Sequence, residues 1–279
     1  MRSSTCPGAS GRRDWGDGRS PAYNAAMLTK TVSALQVATY NIHKGFSHFN
    51  RRMTVHELRE QLRLIDADIV FLQEVVGFNS RHALRHKEWP DRPQHEFLAS
   101  QMWTEHAYGK NAVYDEGHHG NAILSRFPIA RFDNIDISAG THESRGLLHA
   151  EISVPGWVEN MHCVCVHLGL FARGRRRQVE AVCERIESLV PRGAPLVLAG
   201  DFNDWRGEAS DSLGDLGVKE VFELTRGRPA RSFPARLPLL RLDRIYIRGF
   251  HVRHANVHRS LRWSHGSDHA ALTASLVPV

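Results

Sequence analysis

No apolar run in this chain approaches the roughly 18 to 20 residues that a membrane-crossing helix needs, which argues against a helical span. Cysteine is scarce. Cys6, Cys163, Cys165 and Cys183 are the only four in 279 residues, too few and too unevenly placed for a disulfide framework, and this favours a reducing compartment. No unit recurs at a fixed period of about 20 to 50 residues, so a solenoid or propeller is not expected. An export signal is missing where one is looked for: Arg12 and Arg13 lead into Asp14, Gly16, Asp17 and Gly18 rather than into an apolar segment. The expectation is a cytoplasmic protein acting as a monomer.

What is present is an ordinary globular composition with a basic bias. Apolar residues make up 42% of the chain, enough for a sizeable core. The formal charge of +6 and a pI near 9.4 favour an anionic partner such as a nucleic acid, a phosphate ester or an anionic membrane face. Residues 1–33, rich in Gly, Ser, Arg and Pro and without periodicity, read as a disordered extension with Met27 as an alternative start of translation. Residues 34–279 read as one domain with no linker inside it.

Within that domain, Leu35 to Tyr40 has strand character and ends in Asn41, Ile42, His43, Lys44 and Gly45. Thr54 and Glu57 form a T-x-x-E capping-box pattern, and Val55, Leu58, Leu62 and Ile65 then recur at helical spacing. Ile69 to Leu72 is a second strand, expected to stop at Gln73 and Glu74. A helix is expected within 95–102, an exposed turn at Gly117 to Gly120 carrying His118 and His119, and strands at 121–125, 147–154 and 161–168. Trp89, Trp103 and Tyr108 read as packing residues. A second amphipathic helix covers 178–190, and further strands cover 197–199, 243–247 and 270–276. Many strands with few interposed helices indicate an α/β or α+β sandwich.

The polar residues at the strand ends carry the functional signal. Asn41, Glu74, Arg145, His167, Asp201 with Asn203, Asp243, and Asp268 with His269 all stand at or beside the boundary of an apolar segment. A lone Asp or His at such a place is usually a solvated loop residue, but burying an unpartnered carboxylate is costly and seven such boundaries weaken that explanation. Glu74 and Asp268 are hard oxygen donors of the kind Mg²⁺ accepts. Phosphodiester hydrolysis needs an in-line water, neutralised non-bridging oxygens and a stabilised leaving oxygen. Asp201 or His269 can orient and deprotonate the water, while Asn203, His167, Arg145 and the metal hold the phosphate.

The runs TYNIHKG at 39–45, FLQEV at 71–75, GNAILSRFPI at 120–129, VHLGL at 166–170, LAGDFND at 198–204, LDRIYI at 242–247 and GSDHAAL at 266–272 resemble the endonuclease/exonuclease/phosphatase superfamily, the DNase I-like fold. The resemblance implies a four-layer α/β sandwich, two mainly antiparallel β-sheets flanked by helices, with a site at one end. It implies Glu74 as principal metal ligand, Asn41 in the metal region and at the phosphate, and Asp268 assisting the metal, which would be Mg²⁺ or Mn²⁺. It further implies phosphate contacts from Arg145, His167 and Asn203, water positioning by Asp201, and an Asp243 that orients His269. QEVV in place of QET, and His167 where abasic-site endonucleases carry Tyr, shift the resemblance from base-excision repair toward nucleases, sphingomyelinases and phosphodiesterases. His43 is a weaker candidate.

The expected activity is divalent-metal-dependent phosphodiester hydrolysis, first of a nucleic acid, DNA or RNA. The alternatives are a phospholipid or small-molecule phosphodiester, and a non-catalytic member that binds nucleic acid or membrane through its arginines. A soft-metal site on Cys163, Cys165 and His167 is disfavoured, because alternate residues of one strand lie about 7 Å apart and do not converge on one ion. Arg173, Arg175, Arg176 and Arg177 read equally as a solvated helix start or a phosphate-facing rim. Arg226, Arg228, Arg231 and Arg236 read as a solvated loop.

Overall fold

A computed structural model describes residues 31–140, 143–260 and 263–279. Its twelve strands are β1 (Leu35–Asn41), β2 (Ile69–Asn79), β3 (Glu105–Tyr114), β4 (Gly117–Ser125), β5 (Ile129–Asp136), β6 (Gly146–Ile152), β7 (Met161–His167), β8 (Leu196–Asp201), β9 (Lys219–Glu220), β10 (Asp243–Arg248), β11 (Phe250–Val257) and β12 (Leu272–Pro278). The helices are α1 (Val55–Ile65), α2 (Ser80–Arg85), α3 (Gln94–Ala99), α4 (Ala172–Leu189), α5 (Glu208–Gly214) and α6 (Val221–Arg226). The expected extension lies outside the described residues up to position 30. Val32 is already tied down, donating its N–H to Pro155 O at 3.2 Å and accepting from Trp157 Nε1 at 3.0 Å.

The strands form two six-stranded sheets, ordered β11-β12-β1-β2-β4-β3 and β5-β6-β7-β8-β10-β9. Every neighbouring pair is antiparallel except β1 with β2 and β7 with β8. The sheets stack face to face, β1 on β8, β2 on β7, β4 on β6 and β3 on β5. Period-two alternation along each strand divides its residues between the inter-sheet core and an outer face. Val37, Phe71, Ile123, Cys163, Cys165, Val197 and Ile245 fill the space between the sheets. Tyr40, Val70 and Leu72 face α1 and α3, whereas Val164, Val166 and Leu198 face α4 and α5. The result is the four-layer α/β sandwich expected from sequence. Burial pushes the Cys165 thiol up to about 12, so this cysteine is a neutral packing group.

Three local expectations change. Thr54 does precede α1, but its hydroxyl makes no cap; it donates to Gly266 O at 2.6 Å, and Glu57 pairs with Arg52. The helix start is thereby pinned to the segment carrying Ser267, Asp268 and His269. Thr54→Val, which keeps the shape and removes the donor, should cost about 1–3 kcal/mol in urea unfolding, because the Gly266 carbonyl stays buried without its partner. An unchanged midpoint would show that the bond does not hold this segment. Secondly, β2 does not stop at Gln73 and Glu74 but runs to Asn79 through a register shift between Leu72 and Val75. Glu74 sits in that bulge with φ +56°, a conformation that re-aims one side chain without ending the strand. Thirdly, His118 and His119 are not an exposed turn. They lie inside β4, paired with Phe78 and Val76 of β2, and His118 meets Tyr108 OH at 3.0 Å.

Candidate active site

Parallel pairing places the carboxyl ends of β1 and β2 side by side, and does the same for β7 and β8. Because the sheets stack with β1 on β8 and β2 on β7, Asn41, Glu74, His167 and Asp201 meet at one edge of the sandwich. The antiparallel neighbours bring their amino ends to that edge: Asp243 of β10 stands opposite Asp201, and Asp268 and His269 precede β12. Gly200 makes this register possible. A Cβ there would fall 1.9 Å from Val166 O, so any side chain would push β8 away from β7 and part Asp201 from His167.

Asp201 is the hub of the site. Its Oδ2 accepts from Asn41 Nδ2 at 3.0 Å and lies 3.6 Å from His167 Nε2 and 3.7 Å from His269 Nε2. Its Oδ1 accepts from the backbone N–H of Asn203 at 3.0 Å. Asn41 spans to Glu74 Oε1 at 3.4 Å, while its own oxygen accepts from His43 N at 3.0 Å. His269 Nδ1 pairs with Asp243 Oδ2 at 2.8 Å, the arrangement that fixes an imidazole's orientation. Ser267 Oγ donates to Asn41 O at 2.7 Å, which joins the last segment of the chain to the first strand.

Charge is distributed unequally. Burial works against protonation of His269, yet Asp243 and Asp201 beside it lift it to about 10, so it is a cation at neutral pH. His167, equally enclosed, is held down to about 4 by burial despite Asp201, and stays neutral. Burial raises Asp201 above the usual carboxylate range, opposed by His269. Burial also acts to raise Glu74, but His167, Lys44 and His43 outweigh it and hold Glu74 well below that range.

Every site residue expected from sequence lies at this edge, and those facing solvent line a cavity of about 360 Å³ with His43, His119 and Trp205. Arg145 faces it too, 3.7 Å from Glu143. Asn203 has φ +49° and donates its side-chain N–H to Leu168 O at 2.9 Å, leaving one amide hydrogen for another acceptor. Asp204 turns away to serve the fold, accepting from Ala209 N at the start of α5.

Lys44 went unassigned in the sequence. Its Nζ stands 3.0 Å from Glu74 Oε2, and the only available signal was its place inside TYNIHKG. His119 was hidden by the expectation of a turn. Of the first arginine cluster, Arg175 is buried, bonded to Leu170 O at 3.0 Å and 3.8 Å from Asp204, so it braces the loop after β7 instead of facing phosphate.

Glu74 and Asp268 fit a small hard cation. Both are oxygen donors open to the cavity, where Lys44 Nζ stands at Glu74 Oε2 and the rings of His43 and His48 bring Nδ1 to 3.4 Å and 3.8 Å from Asp268 Oδ2. A carboxylate held ionised at the mouth of an open cavity would suit a divalent ion.

Comparison with known proteins agrees with this geometry. The uncharacterized protein YbhP of Escherichia coli (strain K12) is 47% identical over 244 residues, covering 87% of this chain and 96% of that one. An endonuclease/exonuclease/phosphatase from Beutenbergia cavernae superposes with a TM-score of 0.71 at 18% identity, over 88% of this chain and 72% of the other. The human Nocturnin catalytic domain with bound sulfate superposes with a TM-score of 0.70 at 17% identity, over 88% and 94% of the two chains. Residues 38–269 match the model of the Endonuclease/Exonuclease/phosphatase family, so most of the domain is accounted for and the chain belongs to that family.

Proposed function

We propose that this chain is a divalent-metal-dependent phosphodiesterase that cleaves its substrate by direct attack of water. The observation that carries the reading is the surround of Asp201: one carboxylate oxygen oriented by Asn41, flanked by a neutral and a charged imidazole, and opening on the cavity that Glu74 and Asp268 share. Asp201, the carboxylate that burial makes more basic, orients the water and takes its proton. His269, kept charged by Asp243, neutralises a non-bridging phosphate oxygen, and Arg145, His167 and the free N–H of Asn203 hold the phosphate. This assigns the base to Asp201 and makes His269 an electrostatic partner. Glu74 and Asp268, with Asn41 beside them, would hold a divalent ion, which would supply charge neutralisation for the phosphoryl transfer.

The charge of +6 supports a nucleic acid as first substrate. A second reading rests on the rim. Leu170, Phe171, Trp205, Leu237, Leu239 and Leu240 are exposed on loops beside the cavity, and such a border suits a phosphodiester with an apolar portion, as in a phospholipid. Hydrolysis of bis-p-nitrophenyl phosphate with Mg²⁺ or Mn²⁺ tests the activity, and a panel of plasmid DNA, RNA, phospholipid vesicles and sugar phosphates separates the substrates. Lipid hydrolysis without plasmid nicking would overturn the nuclease reading. Chelation should abolish turnover. Glu74→Gln should raise the Mg²⁺ concentration for half-maximal rate on the order of a hundredfold, with kcat largely recovered at saturating metal; unchanged metal dependence would remove Glu74 from the ligand set.

A further inference from the structure

A second group of metal-type ligands lies at the opposite end of the same sheet. On β6, His149 and Glu151 are two residues apart and share the helix-facing side, and Glu151 stands directly opposite His162 of β7. His149 Nε2 lies 3.0 Å from His162 Nδ1, and His162 Nδ1 lies 3.7 Å from Glu151 Oε1. All three donor atoms fall within 4.8 Å of one another. His162 is five residues before His167 on β7, about 17 Å along an extended strand, so this cluster is separate from the active site.

We propose that His149, Glu151 and His162 form a zinc-type transition-metal site. Metal–nitrogen and metal–oxygen bonds of 2.0–2.2 Å in a tetrahedron put ligand atoms about 3.4 Å apart, and the observed 3.0 and 3.7 Å bracket that spacing. Two imidazoles and a carboxylate are borderline donors that suit Zn²⁺ or Co²⁺ better than Mg²⁺. Both rings are buried. The hydrogen now between them needs only to sit on the far nitrogen of its ring for both facing nitrogens to offer lone pairs. A fourth position is available from the small cavity that His149 and Glu151 line, of about 170 Å³, where Asp133 of β5 stands opposite His149. Two arginines compete: Arg131 holds Glu151 at 2.6 Å and Arg185 holds Asp133 at 2.7 Å. Arg131 is 69% exposed and can swing into water when a cation takes the carboxylate.

The site is tested by Co²⁺ absorption on the full chain carrying Glu74→Gln, Asp268→Asn and Asp243→Asn, which disables both carboxylate groups of the active site and makes the readout independent of hydrolysis. The expected result is one equivalent of Co²⁺ with visible bands of tetrahedral intensity, displaced by Zn²⁺. Adding His149→Ala with His162→Ala should abolish the bands. Glu151→Gln, which keeps the packing volume should the double variant not fold, should weaken Co²⁺ binding at least roughly tenfold. Absence of tetrahedral bands in the parent, or their persistence at unchanged affinity in Glu151→Gln, would overturn the site. Loss of the bands on His106→Ala would do the same, because it would place the ion at the other histidine group, His95, Glu96 and His106.

Discussion

Asp201→Asn is expected to lower kcat for phosphodiester hydrolysis by at least about a thousandfold while leaving the fold intact. The two effects separate for a physical reason. The isosteric amide keeps the volume and one oxygen, which can accept from Asn41 or from the Asn203 N–H but not from both, and it cannot take a proton from water. It also removes a buried negative charge that the enclosure disfavours, so the thermal midpoint should hold steady or rise. Steady-state kinetics beside a melting curve decides the matter. Activity within tenfold of the parent chain would remove Asp201 from the chemistry, and a collapsed midpoint would mean that its role is structural.

Asp243→Asn should reduce kcat by about a hundred- to ten-thousandfold, since the amide can donate where His269 needs an acceptor and the charged imidazole loses its partner. The same pair makes a claim about stability. His269 is raised from its ordinary value near 6.5 to about 10, so its contribution is complete below about pH 6.5 and is lost as pH climbs through about 10. In chelator, the melting temperature of the parent chain should therefore fall across that window, and Asp243→Asn should flatten the slope. A parent curve that is flat between pH 6.5 and 10 would contradict the charged state assigned to His269.

Much of this protein is legible in one dimension. Alternation in strands such as Leu35–Asn41 and Met161–His167 follows from burial of one or both faces, and helical spacing of Val55, Leu58 and Leu62 follows from packing on a sheet. The candidate site is legible for the same reason: carboxylates and imidazoles that end apolar strands have no business there as packing, so Asn41, Glu74, His167, Asp201, Asp243, Asp268 and His269 stand out without coordinates. The less regular region from 77 to 114 is not. Strand β3 there is only half-buried and has no apolar run to announce it.

What tertiary structure decided is which groups meet and in what state. Whether Thr54 caps a helix or ties down the segment before Asp268 depends on a carbonyl 212 residues away, and local propensity carries no such term. Glu74 reaches the cavity only because β2 bulges against β4, an accident of register between strands. Burial and neighbours then divide His167 from His269, one neutral and one charged, although the sequence presents two similar histidines. The sequence by itself determined the central strands, the family and the chemical inventory, because these follow from local pattern; strands β3, β5, β9 and β11, the roles of Lys44, His119 and Arg175, and the protonation of the two histidines arise from long-range pairing, electrostatics and desolvation that exist only once both sheets are stacked.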